Sequence, residues 1–133
     1  MLKVYTDAAT NGQKEKSGGG ILIVSDTGQQ QLSVPLKETD NHTAELSIIL
    51  YALHYLIENQ LTEQSIFLYS DSKTAIKILD QGKTKNNSFQ PYLSQFNELA
   101  TKFDLLILQW IPESQNKGAD HLAKQGLQKS LKL

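Results

Sequence analysis

The chain has no cysteine and no arginine. Without cysteine, a disulfide-stapled secreted scaffold and a thiolate zinc site are both excluded, and a reducing compartment suits the protein. Without arginine, all thirteen basic residues are lysines. Contacts to phosphate must then come from point charges, backbone N–H groups or hydroxyls, with no two-pronged guanidinium grip. A basic excess is also missing. The formal net charge is −1, whereas domains that bind nucleic acid usually carry surplus cations to replace phosphate counterions. No apolar run approaches the roughly 18 residues of a membrane-crossing helix. Met1 to Asp7 meets Lys3 and then an acid too early for a secretory leader. A cytoplasmic protein is expected.

What is present fits an ordinary globular chain. Of the 133 residues, 39% are hydrophobic and 20% charged, enough apolar material for one core, so residues 1–133 are expected to form a single domain. There are no internal repeats and no linker long enough to divide the chain.

Residues 2–6 alternate and are β-prone. A stretch rich in Gly, Asn and Lys at residues 11–20 reads as a loop, and Ile21-Leu22-Ile23-Val24 as a second strand ending in the turn Ser25-Asp26-Thr27-Gly28. Residues 31–36 alternate again, and Pro35 inside that run points to an edge strand, since proline cannot donate to a ladder. From Leu46 to Ile57 only Ser47 and His54 are polar, and Asp40-Asn41 just upstream can cap a helix that should be covered on most sides. The run Ile66-Phe67-Leu68-Tyr69 suggests a strand buried on both faces, and Ser70-Asp71-Ser72 opens a helix to about residue 81. After a loop at 82–89, Tyr92, Phe96, Leu99 and Phe103 recur at helical spacing. Leu105 to Ile111 is a further strand, ended by Pro112. From Asn116, a last helix places Ala119, Leu122, Ala123 and Leu127 on one face. The order β-β-β-α-β-α-α-β-α specifies an α/β fold: a mixed five-stranded sheet, three strands antiparallel and two parallel, flanked by helices.

Four acids stand at telling places in this scheme. Asp7 closes strand one, Glu45 lies in the first turn of the long helix, Asp71 closes strand four and Asp120 sits near the start of the last helix. If strands one and four are central neighbours, Asp7 and Asp71 meet at the sheet edge where α/β proteins place their ligands. Clustered carboxylates repel unless a cation compensates, and hard Mg²⁺ prefers oxygen ligands. Two such ions about 4 Å apart suit cleavage of a phosphodiester. Each acid also has a plain structural explanation as a strand-end, capping or dipole-compensating residue; it is the four in order that favour a site. Lys73, Lys77, Lys83 and Lys85, opposed by Asp80 alone, read equally well as a solvated face.

Tyr5-Thr6-Asp7-Ala8-Ala9, Asn41-His42-Thr43-Ala44-Glu45-Leu46, Tyr69-Ser70-Asp71-Ser72, and Trp110-Ile111-Pro112 leading to Asn116-Lys117-Gly118-Ala119-Asp120-His121-Leu122-Ala123 resemble the four signature segments of type 1 ribonucleases H. The likeness spans nearly the whole chain, with the intervening elements in order. It implies a ribonuclease H-like fold and endonucleolytic hydrolysis of the RNA strand of RNA–DNA hybrids. It also implies Mg²⁺ or Mn²⁺, two ions with substrate, and 5′-phosphate ends. By position, Asp7 would bridge both ions, and Glu45, Asp71 and Asp120 would complete the catalytic and metal-binding set. Glu45 would also lie near the ribose 2′-hydroxyl, the group that separates RNA from DNA. Ala8, Asn11, Asn41, His42 and Ser72 would contact substrate. A monomer acting on a hybrid is expected.

The chain departs from that family in several places. Ala8 replaces a common glycine, and Asn11-Gly12-Gln13-Lys14-Glu15-Lys16 replaces a glycine-proline-rich loop. Asp40 stands where threonine often helps hold the DNA phosphate, and an ionised carboxylate there repels it. The loop between Trp110 and Asp120 has no histidine. Glu113, which often is arginine in relatives with this Trp-hydrophobic-Pro segment, reads as a surface residue ahead of a catalytic helper. The segment after Asp71 is too short for the basic handle of some bacterial members, for which Lys83 and Lys85 are a modest substitute. His54 reads as a packed or partly exposed core histidine, His121 as a flank of the site, and His42 as a phosphate contact or a helix-start residue. Two other readings compete: a nucleic-acid-binding domain of this fold with little or no turnover, and another metal-dependent nuclease on the same scaffold.

Overall fold

A computed structural model describes residues 1–133. Five strands and four helices run in the anticipated order: β1 (Leu2–Asn11), β2 (Lys16–Ser25), β3 (Gly28–Leu36), α1 (Asn41–Glu58), β4 (Ser65–Ser70), α2 (Lys73–Gln81), α3 (Gln90–Ala100), β5 (Leu105–Trp110) and α4 (Lys117–Leu131). They build one mixed sheet ordered β3-β2-β1-β4-β5. β1, β2 and β3 are antiparallel, and β4 and β5 continue parallel to β1. β1 and β4 are central neighbours, as the placement of their acids requires. β3 is an edge strand, where Pro35 is tolerated because it needs no partner on its open side.

The core lies between the sheet and α1. Val4, Ile21, Ile66 and Leu68 face Leu46, Ile49, Leu53 and Leu56 of that helix within one cluster of 22 buried residues. α1 is N-capped by Asp40, whose carboxylate accepts from the Thr43 N–H at 2.9 Å. α3 begins with Pro91 in its first turn, where a missing N–H costs nothing, and α2 ends on Gly82 in the left-handed conformation. No helix is long and apolar enough to cross a membrane.

Three expectations change. β1 does not stop at residue 6 but runs to Asn11, and β2 begins at Lys16, so the loop anticipated at 11–20 shrinks to a tight turn. Gly18, Gly19 and Gly20 are strand residues there; Gly18 and Gly20 lie under the close seat of α4, and Gly19 faces Ile48 of α1 on the other side of the sheet. Asp7 is accordingly mid-strand. β4 is only partly buried on both faces: Ile66 and Leu68 are sealed, while Phe67 and Tyr69 are half-buried. α4 packs over β1, β2 and β3 and leaves the far half of the sheet open, which also exposes Leu105 and Ile107 of β5. Phe103 lies past the end of α3, yet remains buried.

Candidate functional site

The parallel pairing of β1 with β4 ends at Thr6 opposite Ser70. One step further, Asp7 and Asp71 emerge side by side: β1 continues along β2, while the chain after Ser70 turns into α2. Glu45 arrives from the other side, on the buried face of α1 one turn after its start. The Ala8 N–H donates to Glu45 Oε1 at 3.2 Å and ties that helix to the strand. Asp7, Glu45 and Asp71 each bring a carboxylate oxygen within 4.8 Å of the others. Asp7 is 5% exposed and Glu45 3%. Glu45 Oε2 is buried with no hydrogen-bond partner.

This concentration of charge is not neutralised by any lysine. The one salt bridge of the protein joins Lys124 to Asp120 at 3.1 Å, outside the trio. Burial, reinforced by the charges of Asp71 and Asp120, pushes Asp7 up to about 7. Burial and the neighbouring Asp7 charge push Glu45 up to about 10. Asp71 is raised too, first by burial and then by the charges of Glu113 and Asp120, against a hydrogen bond from Asn116 that opposes the rise. Three converging carboxylates, one with an orphaned buried oxygen, are an all-oxygen donor set of the kind that suits Mg²⁺ or Mn²⁺.

These shifts carry a sign for stability. Carboxyls whose folded-state pKa lies above the unfolded value favour the folded state at acid pH, and that contribution is lost as pH rises through the folded values. Asp40 shifts the other way, because the bonds from Thr43 and the nearby His42 outweigh its burial, but its effect is complete by about pH 5. In EDTA, the thermal midpoint should therefore fall between about pH 5 and pH 8, with a shallower slope for Glu45→Gln, and added Mg²⁺ should recover it at the upper end. A midpoint that rises across that interval in native protein would contradict the protonated pair.

Around the trio lies an open cleft of about 580 Å³. Ala8, Asn41, His42 and Ser72 line it, as does Asp120. Asp120 stands at the rim: its side chain is 44% exposed and turned to Lys124, and it shares a second depression with Asp7, Asp71 and Glu113. Asn11 does not line the cleft. It lies at the far end of β1, where its Oδ1 accepts from the Lys14 N–H at 3.2 Å in the hairpin turn. The Ser72 hydroxyl accepts from the Ala75 N–H and caps α2. Asp40 spends its carboxylate on α1, and the Thr43 hydroxyl donates to it at 2.6 Å. Glu113, in a short 3-10 turn at Glu113–Gln115, is exposed at the surface while lining both depressions. His54 is exposed. So is His121, paired with Gln125. His42 presents its ring edge-on to Phe89.

Two residues at the site were not anticipated as functional. The Trp110 indole N–H donates to the Asp71 carbonyl at 3.2 Å, and Lys73 Nζ sits 4.6 Å from the ring centre. Asn116 is 1% exposed and its side-chain amide reaches Asp71. Both occur in segments that carry the family likeness, but nothing local in the sequence says which way they point.

Residues 5–126 match the model of the family described as "Reverse transcriptase-like". The Enterococcus faecalis protein named "Putative hydrolase EbsB" is 46% identical over 129 residues, covering 97% of this chain and 96% of that protein. The chain belongs to the ribonuclease HI-like family. A ribonuclease H of Trichodesmium erythraeum is 35% identical over 85 residues, 63% of this chain and 51% of that protein. Among solved structures, LC11-RNase H1, isolated from compost and crystallised with an RNA/DNA hybrid, superposes with a TM-score of 0.86. That match covers 98% of this chain and 99% of the other at 22% identity, which establishes the shared ribonuclease HI-like fold.

Proposed function

We propose that this chain is an endoribonuclease that hydrolyses the RNA strand of RNA–DNA hybrids and leaves 5′-phosphate ends. The observation that carries the reading is the convergence of Asp7, Glu45 and Asp71, within 4.8 Å, at the mouth of a ribonuclease HI-like sheet. Asp7, Glu45 and Asp71, with Asp120 at the rim, are the residues that would hold the metal ions. Two bound Mg²⁺ or Mn²⁺ ions would supply Lewis acidity at both the attacking water and the leaving oxygen. The chain's own residues do the positioning. The Ala8 N–H fixes one Glu45 oxygen, and the indole of Trp110 holds the Asp71 backbone. Asn41, His42, Ala8 and Ser72, placed along the cleft, offer polar and backbone groups to the hybrid, with Asn11 further along the same strand. Lys77, Lys83 and Lys85 line a groove that shares Thr74 with the cleft and offer it positive charge. The same proposal takes residues 1–133 as one catalytic unit, working as a cytoplasmic monomer.

A second reading, a hybrid-binding domain with little turnover, draws on the pairing of Asp120 with Lys124 and on the added negative charge of Glu113. Purified protein with Mg²⁺, and separately Mn²⁺, should be given end-labelled hybrid, single-stranded RNA, duplex RNA and duplex DNA. Cleavage confined to the RNA of the hybrid is the expected result. Hybrid binding without cleavage would favour the second reading, and cleavage of duplex DNA would sink both in favour of another nuclease on this scaffold.

A further inference from the structure

Asn116 stands at the N-cap of α4, a position where an asparagine side chain ordinarily accepts a hydrogen bond from the first turn of its helix. Here it makes no such bond. Its amide instead points into the protein and donates to the Thr6 carbonyl at 2.9 Å and to Asp71 Oδ2 at 3.2 Å. The orientation follows from chemistry: both neighbours are acceptors, so only the NH₂ end can face them, and its two hydrogens match the two oxygens. Asn116 Oδ1, on the other side, is buried without a partner. A side chain that is 1% exposed has given up its capping bond to make two others across the fold.

Those two bonds reach the places where the acids sit. Thr6 precedes Asp7, at the point where β4 stops pairing with β1. Asp71 is the first residue beyond β4. Asn116 itself opens the helix that carries Asp120. One amide thus joins three separate acid-bearing segments, and it touches a carboxylate oxygen of the trio directly. An apolar residue of similar shape would leave the Thr6 carbonyl and an Asp71 oxygen without their donor, and the Asp71 side chain free to turn.

We propose that Asn116 is a positioning residue of the acidic site, holding the Asp71 carboxylate in register with Asp7 so that the trio is pre-set for a divalent cation. The inference rests on the metal-site reading above. It adds a partner that acts on the metal only through Asp71, and groups in that position commonly change metal affinity by about 10- to 100-fold when removed.

Mn²⁺ should be titrated calorimetrically into native protein, Asn116→Ala and Asn116→Ser, with each thermal midpoint recorded in EDTA. Asn116→Ala is expected to bind Mn²⁺ about 10-fold more weakly or worse, and Asn116→Ser, which keeps one donor, to recover part of the loss. Hybrid cleavage should lose kcat while KM for the hybrid stays within about 2-fold. A folded Asn116→Ala that binds Mn²⁺ like native protein, with only a lower midpoint, would overturn the inference and leave Asn116 a structural residue. If native protein itself binds no Mn²⁺, the metal-site reading falls and this inference with it. Should neither variant fold, ¹⁵N-labelled native protein decides: saturation with Mg²⁺ should shift the Asn116 side-chain amide resonances, and an amide that stays put would overturn the role.

Discussion

Asp7→Asn is expected to lower hydrolysis of RNA in a hybrid by a factor on the order of 10³ or more, while making the metal-free protein more stable. Both effects come from one property. Asp7 lies between Glu45 and Asp71 in a buried cluster without a neutralising lysine, so its charge is costly when no cation is present and needed when one is. The amide is nearly the same shape and removes the charge without opening a cavity. At about pH 8 in EDTA the thermal midpoint should rise by roughly a few degrees, and Mg²⁺ should no longer raise it further. Cleavage that survives in a contaminant-free preparation, or a midpoint that falls, would show that Asp7 is not the centre of the site.

Gly18→Ala should destabilise the fold by about 3 kcal/mol or more, the upper end of what overpacking does. A Cβ at Gly18 would be placed on the backbone of Gly126 and Leu127 in α4, which cannot move aside as a flexible side chain would. Gly126 faces back onto the Val34 carbonyl and the Gly19 backbone, so the contact is close from both sides. Relief requires α4 to lift off β2, and the same helix carries Asp120 and begins at Asn116. Urea unfolding should show a markedly lower midpoint. Gly12→Ala, in the hairpin turn with open space around it, should change stability by no more than about 0.5 kcal/mol. Equal behaviour of the two variants would mean that α4 does not seat where the structure puts it.

Much of this architecture is legible along the chain because its signals are local. Alternation marks the antiparallel strands, and proline marks the open edge at β3. The helix cap at Asp40 and the left-handed stop at Gly82 lie next to the elements they end. The glycines at 18–20 mislead for a physical reason. A glycine run looks like a flexible connection when read alone, and only the helices packed on that strand, α4 against Gly18 and Gly20 and Ile48 of α1 against Gly19, explain why side chains are excluded. Phe67 and Tyr69 mislead similarly, because whether a hydrophobic strand is covered on its second face depends on how far α4 reaches across the sheet.

The acids divide along the same line. Residue type and order along the chain picked out Asp7, Glu45, Asp71 and Asp120 and a mixed α/β sheet, since periodicity and capping depend on a few neighbours, but the place of Asp7 inside β1 and not at its end came only with the pairing of β1 and β2. Tertiary structure alone decided that three of the four converge while Asp120 stands at the rim beside Lys124, that Asp40 is engaged by Thr43, and that Asn116 turns from its helix toward Asp71. Side-chain direction and charge environment arise from groups far apart in sequence, and no local pattern encodes them.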